Sequence, residues 1–234
     1  VRVVVPTCNK YLWAVAPFAY LFNVYWSEQQ EVIVGGFHPP AFKLPTNFTF
    51  LSIDPKNYPA ERWSDGIIKL LSMIEDDMFV LMLEDYWLLR GVNHQAVQSI
   101  GDYMRMHTDV LRTDLTTDRL YSGRAVDVDT WGYLDFIETP PDTPYQWSTQ
   151  ACVVNREHML RCLRPGIAPW QFELSGNDLI PKGLRVLGTR QSPVRYVNAI
   201  GMGCKMRYNV MGVARHHVEA MLSAGILPEN EPIE

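Results

Sequence analysis

Residues 79–89 read FVLMLEDYWLL. The run from Phe79 to Leu83 is continuously apolar, the pattern of a strand buried on both faces. Two carboxylates, Glu84 and Asp85, follow at once, and bulky residues resume after them. An acidic pair at the end of so apolar a run needs a reason to be there.

Working outward, VRVVVPTCNKY (1–11) opens with four valines and breaks at Pro6-Thr7-Cys8-Asn9, a strand followed by a turn. EVIVGG (31–36) reads as a second buried strand closed by glycines. Between them, the segment from Tyr11 to Trp26 is apolar enough for a helix that Pro17 must start or kink. A further helix is expected with Ser64 as N-cap, Asp65 in its first turn and Ile67, Ile68, Leu70, Leu71 and Ile74 at helical spacing. Glu75-Asp76-Asp77 then reads as a solvated turn. Strand, helix, strand, helix, strand predicts an α/β fold with parallel connections. Ligands of such sheets bind beyond the carboxyl ends of the strands. Glu84 and Asp85 therefore belong at a binding edge, which Pro6, Thr7 and Asn9 should share.

The second half is more varied. Asn93 caps a helix through Val97, Ile100 and Met104, and residues 110–123 read as short strands with polar turns. The acidic stretch 125–145 reads as a surface excursion of the sheet. QACVV (150–154) is a strand, Asn155 caps a helix that Pro165-Gly166 ends, and PWQFEL starts another with Pro169 in its first turn. LRVLG and VRYVN are short strands, and a last helix from about Val213 to Ala224 closes at Gly225. One domain over 1–225 with a frayed tail, 226–234, is the simplest division.

With 47% hydrophobic and 20% charged residues, the chain has the composition of a folded protein. Its formal charge of -5 disfavours a general grip on nucleic acid, although Lys205, Arg207, Arg215, His216 and His217 form a local basic cluster. Cys8, Cys152, Cys162 and Cys204 form no CxxC pair, which favours free thiols and a cytoplasmic setting. No stretch reaches membrane-spanning length, and VRVVVP reads as a strand rather than a leader. Neither GxGxxG nor GxxxxGK[ST] is present, which speaks against dinucleotide enzymes and P-loop ATPases.

Adjacent carboxylates repel each other and lose hydration when buried, and a divalent cation removes both penalties. Mg²⁺ and Mn²⁺ take hard oxygen ligands and share them with substrate phosphates. Glu84 and Asp85 are thus candidate metal ligands, against the plainer reading of a salt bridge and a turn cap. Glu173, flanked by Trp170, Phe172 and Leu174, is a candidate general base if it faces apolar surroundings. Helical spacing puts Trp170, Glu173 and Asn177 on one face, suited to a sugar ring or to no ligand at all. His216 or His217 could complete a metal shell, or simply begin a basic helix. Cys8 lacks a visible base and reads as packing.

Taken together, VRVVVPTCNKY, FVLMLEDYWLL and STQACVVNREHMLRCLRPGIAPWQFE resemble nucleotide-sugar glycosyltransferases of the GT-A fold, in particular their polysaccharide-type (family 2-like) members. The resemblance runs in order from Val1 to about Asn177. It implies a single GT-A-like α/β domain with a central, mostly parallel sheet flanked by helices. Residues 1–90 would form the nucleotide-binding half and 91–225 the acceptor-binding half. It further implies that Pro6, Thr7, Asn9 and Asp54 lie beside a donor nucleotide, a UDP-sugar foremost. Asp85, with Glu84 beside it and His217 as a possible third ligand, would hold Mn²⁺ or Mg²⁺ and the diphosphate. Glu173 would be the base of an inverting transfer, with Trp170 and Asn177 at the acceptor. This chain reads Glu-Asp-Tyr where Asp-x-Asp is common. The acceptor implied is a glycan or another hydroxylated molecule, a hydroxylated DNA base included. Two other readings stay open: a non-catalytic carbohydrate- or nucleotide-binding module, and a glycoside hydrolase pairing Glu84 with Glu173.

Overall fold

The computed structural model describes residues 1–54, 58, 62–201 and 206–230. Strands β1 (Arg2–Pro6), β2 (Val32–Gly36), β3 (Phe48–Ser52) and β4 (Met78–Leu81) lie parallel in the order β3-β2-β1-β4. Val3–Val5, Val32–Val34 and Met78–Leu81 are apolar on both faces because helices cover both, while the edge strand β3 exposes Thr49 and Ser52. Helix α1 (Val15–Tyr25) buries Phe18, Leu21 and Phe22 against one face, with Val3, Val5, Val34 and Val80. Helix α2 (Trp63–Ser72) buries Ile67, Leu70 and Leu71 against the other, with Val4, Ile33, Phe79 and Leu81. The alternation Val3, Val4, Val5 between these two cores is the period of a strand written in valines.

Beyond β4 the sheet continues through β9 (Cys152–Asn155), β6 (Val110–Asp114), β10 (Arg185–Thr189), β8 (Leu134–Glu138) and β7 (Val126–Trp131). Strand β9 runs antiparallel to both β4 and β6, and β8 antiparallel to β10 and β7. The remaining strands share the direction of β1. A separate two-stranded ribbon pairs β5 (Tyr86–Leu88) with β11 (Tyr196–Asn198) just past the end of β4. The helices of the second half are α3 (His94–Met106), α4 (Arg156–Cys162), α5 (Pro169–Leu179) and α6 (Arg215–Ser223). This is the single α/β domain expected, with a mostly parallel central sheet flanked by helices. Among the described residues no helix is long and apolar enough to cross a membrane.

Local signals were honoured unevenly. Asn93 accepts from the Ala96 amide and Asn155 from the His158 amide, so both are side-chain caps. Ser64 is not. Helix α2 begins a residue earlier, and the Ser64 hydroxyl instead accepts from the Ile167 amide at 2.9 Å, tying the start of α2 to the loop before α5. Pro17 sits in the first turn of α1, where its missing N–H costs nothing, and a 3-10 turn at Leu12–Ala14 precedes it. The acidic turn is bound by arginines: Asp76 pairs with Arg2 and Asp77 with Arg105. The acidic excursion is the β7–β8 hairpin at the far edge of the sheet. Strand β6 is fully buried, with Arg112 and Asp114 inside it. Gly225 closes the last helix at φ 66°. Cys204, Lys205 and residues 231–234 lie outside the described residues.

Candidate functional site

The carboxyl ends of β1, β2, β3 and β4 form one rim, and the loops that leave them meet there. The Thr7 amide donates to Gly35 O at 2.8 Å, which carries the β1 loop along the end of β2. Gly36 allows that approach: a Cβ there would fall 3.0 Å from the Thr7 methyl and 3.1 Å from the Phe50 ring. Asn9 Nδ2 and His38 Nδ1 lie 2.8 Å apart, and the His38 amide donates to Asn9 Oδ1, joining the first two loops. Asp54 follows β3 and is exposed. It stands three strand spacings from β4, roughly 14 Å along the rim.

Glu84 and Asp85 occupy the turn between β4 and β5. Amides of Tyr86 and Trp87 close that turn onto Leu83 O and Asp85 O, and the Trp87 indole donates to Glu84 O at 3.2 Å. The bulky residues after the acids serve as its anchor. Trp87 is fully buried and packs against Trp13 and Tyr208. The Glu84 side chain points inward, only 7% of the residue being exposed, and accepts from the Thr7 hydroxyl at 3.0 Å. Burial pushes its carboxyl up to about 8, and the charge of Asp85 adds to the shift. Asp85 is half-buried, and burial pushes it up to about 6, with the Asp85 and Ile200 amides opposing. Among the described residues neither acid has a cationic partner.

Glu173 is connected to the β4–β5 turn through Thr149 and Tyr86. From α5 its Oε1 accepts from both the amide and the hydroxyl of Thr149, each at 2.7 Å. The Tyr86 hydroxyl donates to Thr149 O at 3.3 Å. Thr149 and Tyr86 thus link Glu173 to the residue next to Asp85. The Tyr86 ring stacks on Tyr196 of β11 at 4.1 Å, and Tyr196 bonds Gln150 through its hydroxyl. The other two members of the expected α5 face part company. Trp170 is 62% exposed, while Asn177 accepts from the Gln146 amide at 3.0 Å and donates to Thr143 O at 2.8 Å, a clamp on the loop before β9.

His217 is not brought to the acidic pair by any described contact. Its Nδ1 shares a 3.1 Å hydrogen bond with the Tyr20 hydroxyl, and its ring packs edge-on against Tyr20 and Tyr25 of α1. Among the described residues no group of three or more His, Cys, Asp or Glu could hold a metal ion. In the basic cluster, the Arg215 guanidinium is taken by Glu219 at 2.7 Å. Burial holds the thiols of Cys8, Cys152 and Cys162 above their usual range, which suits packing rather than nucleophilic roles.

Behind Thr149 lies a buried ionic cluster that the sequence concealed. Asp114 accepts from Arg112 and from Arg119, the latter at 2.8 Å. Arg112 also donates to Ser148 O, and Arg119 donates to Thr139 Oγ1 and Gln146 Oε1. These bonds pin the 139–149 loop that presents Thr149 to Glu173.

No protein-family model matches the chain, and no curated protein matches its sequence. Among solved structures, a crystal structure of Staphylococcus aureus TarS 1–349 is similar at 14% identity and a TM-score of 0.49, covering 85% of this chain and 60% of that one. This chain therefore spans about three fifths of the TarS fragment. Galactosyltransferase LgtC in complex with donor and acceptor sugar analogues is similar at 13% identity and a TM-score of 0.47, covering 80% and 73%. UTP-bound UGPase from Acinetobacter baumannii gives 10% and 0.49, covering 96% and 93%. Likenesses this distant say nothing of activity.

Proposed function

We propose that the chain is a nucleotide-sugar-dependent glycosyltransferase, and the observation that carries this reading is the acidic pair at the rim, which has no cationic partner among the described residues. Two carboxylates held inside a fold without a cation cost stability, and such placements concentrate at functional sites. Their oxygens fit Mg²⁺ or Mn²⁺, ions that accept one or two protein carboxylates and take their other ligands from phosphates and water. When bound, the ion would neutralise the charge that develops on the leaving diphosphate. Asp85 is the principal ligand in this reading, and Glu84 the second or its inner support. Pro6, Thr7, Asn9 and Asp54 line the donor side, with a UDP-sugar as the first candidate.

Glu173 receives the proton of the acceptor hydroxyl. The oxygen bonds to the anomeric carbon as the bond from that carbon to the diphosphate breaks, and the nucleoside diphosphate leaves with the electron pair. One displacement inverts that centre. The two Thr149 hydrogen bonds hold one oxygen of Glu173 and leave the other for the acceptor. Trp170, exposed one turn away, offers a face for a ring.

The test is product formation from a nucleotide-sugar panel with and without Mn²⁺. Glu173→Gln should lower turnover by about 10²–10⁴-fold with donor binding unchanged. Equal turnover removes Glu173 as the base. Asp85→Asn should abolish metal dependence, and retained dependence removes Asp85 as a ligand. A binding module on the same fold is the second reading, favoured by the double engagement of Glu173. It predicts donor binding without turnover in the wild type.

A further inference from the structure

A polar cleft of about 540 Å³ opens beside the site and has no part in the chemistry described so far. Arg90, Arg195, Tyr121, Gln150, Tyr196 and Asn198 are among the residues that line it. Three of its lining residues connect to the elements of the site. Gln150 follows the Thr149 that holds Glu173, Tyr196 stacks on Tyr86, and Asn198 pairs with Tyr86 in the ribbon. The ribbon also sets a distance. Arg90 lies five residues beyond Asp85, and Leu89 donates to Arg195 O, so both arginines belong to the far end of the cleft, roughly 16 Å from the acidic pair along the strand.

The chemistry of this lining is specific. Both arginines are exposed, and neither has a carboxylate partner among the described residues; Arg90 donates only to Ser192 O at 3.2 Å. The acid of the cleft, Asp118, is engaged by the Thr116 hydroxyl. Tyr121 is 79% exposed and presents a bare ring. Gln150 and Asn198 supply amides, which can both donate to and accept from a base edge. Guanidinium groups suit phosphate oxygens, and exposed aromatic rings suit unstacked bases. The net charge of -5 confines attraction to this cleft and keeps it modest.

We propose that the cleft is the acceptor subsite for a single-stranded nucleic acid. Its backbone phosphates lie on Arg90 and Arg195 and a base stacks on Tyr121, while a nucleotide further along brings its hydroxyl to Glu173. This rests on the transferase reading above for the hydroxyl's fate, but binding to the cleft needs no donor and is measured alone.

The experiment titrates fluorescein-labelled pentathymidylate, a glycerol-phosphate pentamer and maltopentaose without donor or metal, over a range of salt. Pentathymidylate should bind with a log–log salt slope of about -1.4, the value for two phosphates on a single strand. Arg195→Ala should lower the slope to about -0.7 while Arg195→Lys restores it. Tyr121→Ala should weaken pentathymidylate about tenfold. All these side chains are exposed, and unchanged melting of the variants confirms their folding. Salt-independent binding, no binding, or an unaltered slope in Arg195→Ala overturns the proposal. So does a glycerol-phosphate pentamer or maltopentaose that binds as tightly as pentathymidylate. UDP-sugar binding in the same variants reports separately on the donor site. Its loss in the wild type would undo the transferase reading and leave the cleft result standing.

Discussion

Glu84 carries the most consequential electrostatics of the molecule. Its folded pKa of about 8 stands above the ordinary 4.5, so the folded state holds a proton that the unfolded chain gives up. Its contribution to stability is complete below about pH 4.5 and is lost as pH rises towards 8. Asp85 adds the same sign between its ordinary 3.8 and about 6. Glu84→Gln keeps an acceptor for Thr7 and removes the ionisation. In metal-free protein at pH 8 it should stabilise by on the order of 2 kcal/mol, a rise of roughly 4–8 °C in Tm that fades towards pH 5. Thermal melts of both proteins across that range check it. Mn²⁺ must displace the same proton, so its affinity for the wild type should rise from pH 6 to pH 8 and be flatter in Glu84→Gln. Calorimetry in buffers of different ionisation enthalpy would count the protons released. The acids themselves were legible in the sequence, since an apolar run ending in two carboxylates has few plain explanations. Their depth was not, because it depends on Thr7 of the β1 loop and on the Trp13 and Tyr208 rings that anchor Trp87, all remote in the chain.

At the scale of elements, α5 shows how sequence periodicity misleads. Trp170, Glu173 and Asn177 share a helical face, yet one meets solvent, one meets Thr149 and one clamps the 139–149 loop. What a helix face touches is decided by its neighbours, and here by a loop whose course no local pattern reveals. Thr149, Tyr86 and Tyr196 escaped notice for that reason. Ser64 is the converse case: a good capping residue was drawn away by the Ile167 amide. Gly176 fixes how closely α5 approaches the loop. A Cβ there would lie 2.7 Å from Trp147 Cβ, a buried atom with little room to move. Alanine gains about 1 kcal/mol in helix propensity, but overpacking of this kind costs about 1–3 kcal/mol and shifts the loop. Gly176→Ala should therefore destabilise on balance, read as a lower urea midpoint, and it should also impair turnover through Thr149. An unchanged or raised midpoint would mean that Trp147 yields easily.

Over the whole molecule, one sheet joins the two halves of the sequence reading: β3-β2-β1-β4 come from residues before 91 and β9-β6-β10-β8-β7 from residues after it. Strand β9 lies between β4 and β6, with Leu81 opposite Cys152 on one side and Asp114 opposite it on the other. The order β1, α1, β2, α2, β4 was plain from strand and helix periodicity, although β3 and β5 were not. The insertion of β9 was not, since pairing partners far apart in sequence leave no local mark. Fluorescence and circular dichroism should accordingly report one coincident unfolding transition, and separate transitions would mean that the halves fold alone. Asp114→Asn should be severe. It leaves Arg112 and Arg119 as buried charges without their counter-ion, a loss of about 3–5 kcal/mol visible by denaturant titration.

The late arrival of β9 also governs the birth of the molecule. When Leu81 leaves the ribosome its partner Cys152 has not been made, so the open flank of β4 waits for about 70 more residues, on the order of 4–14 s of translation. Through that interval Phe79, Val80 and Leu81 offer a bare hydrogen-bonding border to any passing strand, and a nascent-chain chaperone is the natural companion to cover it.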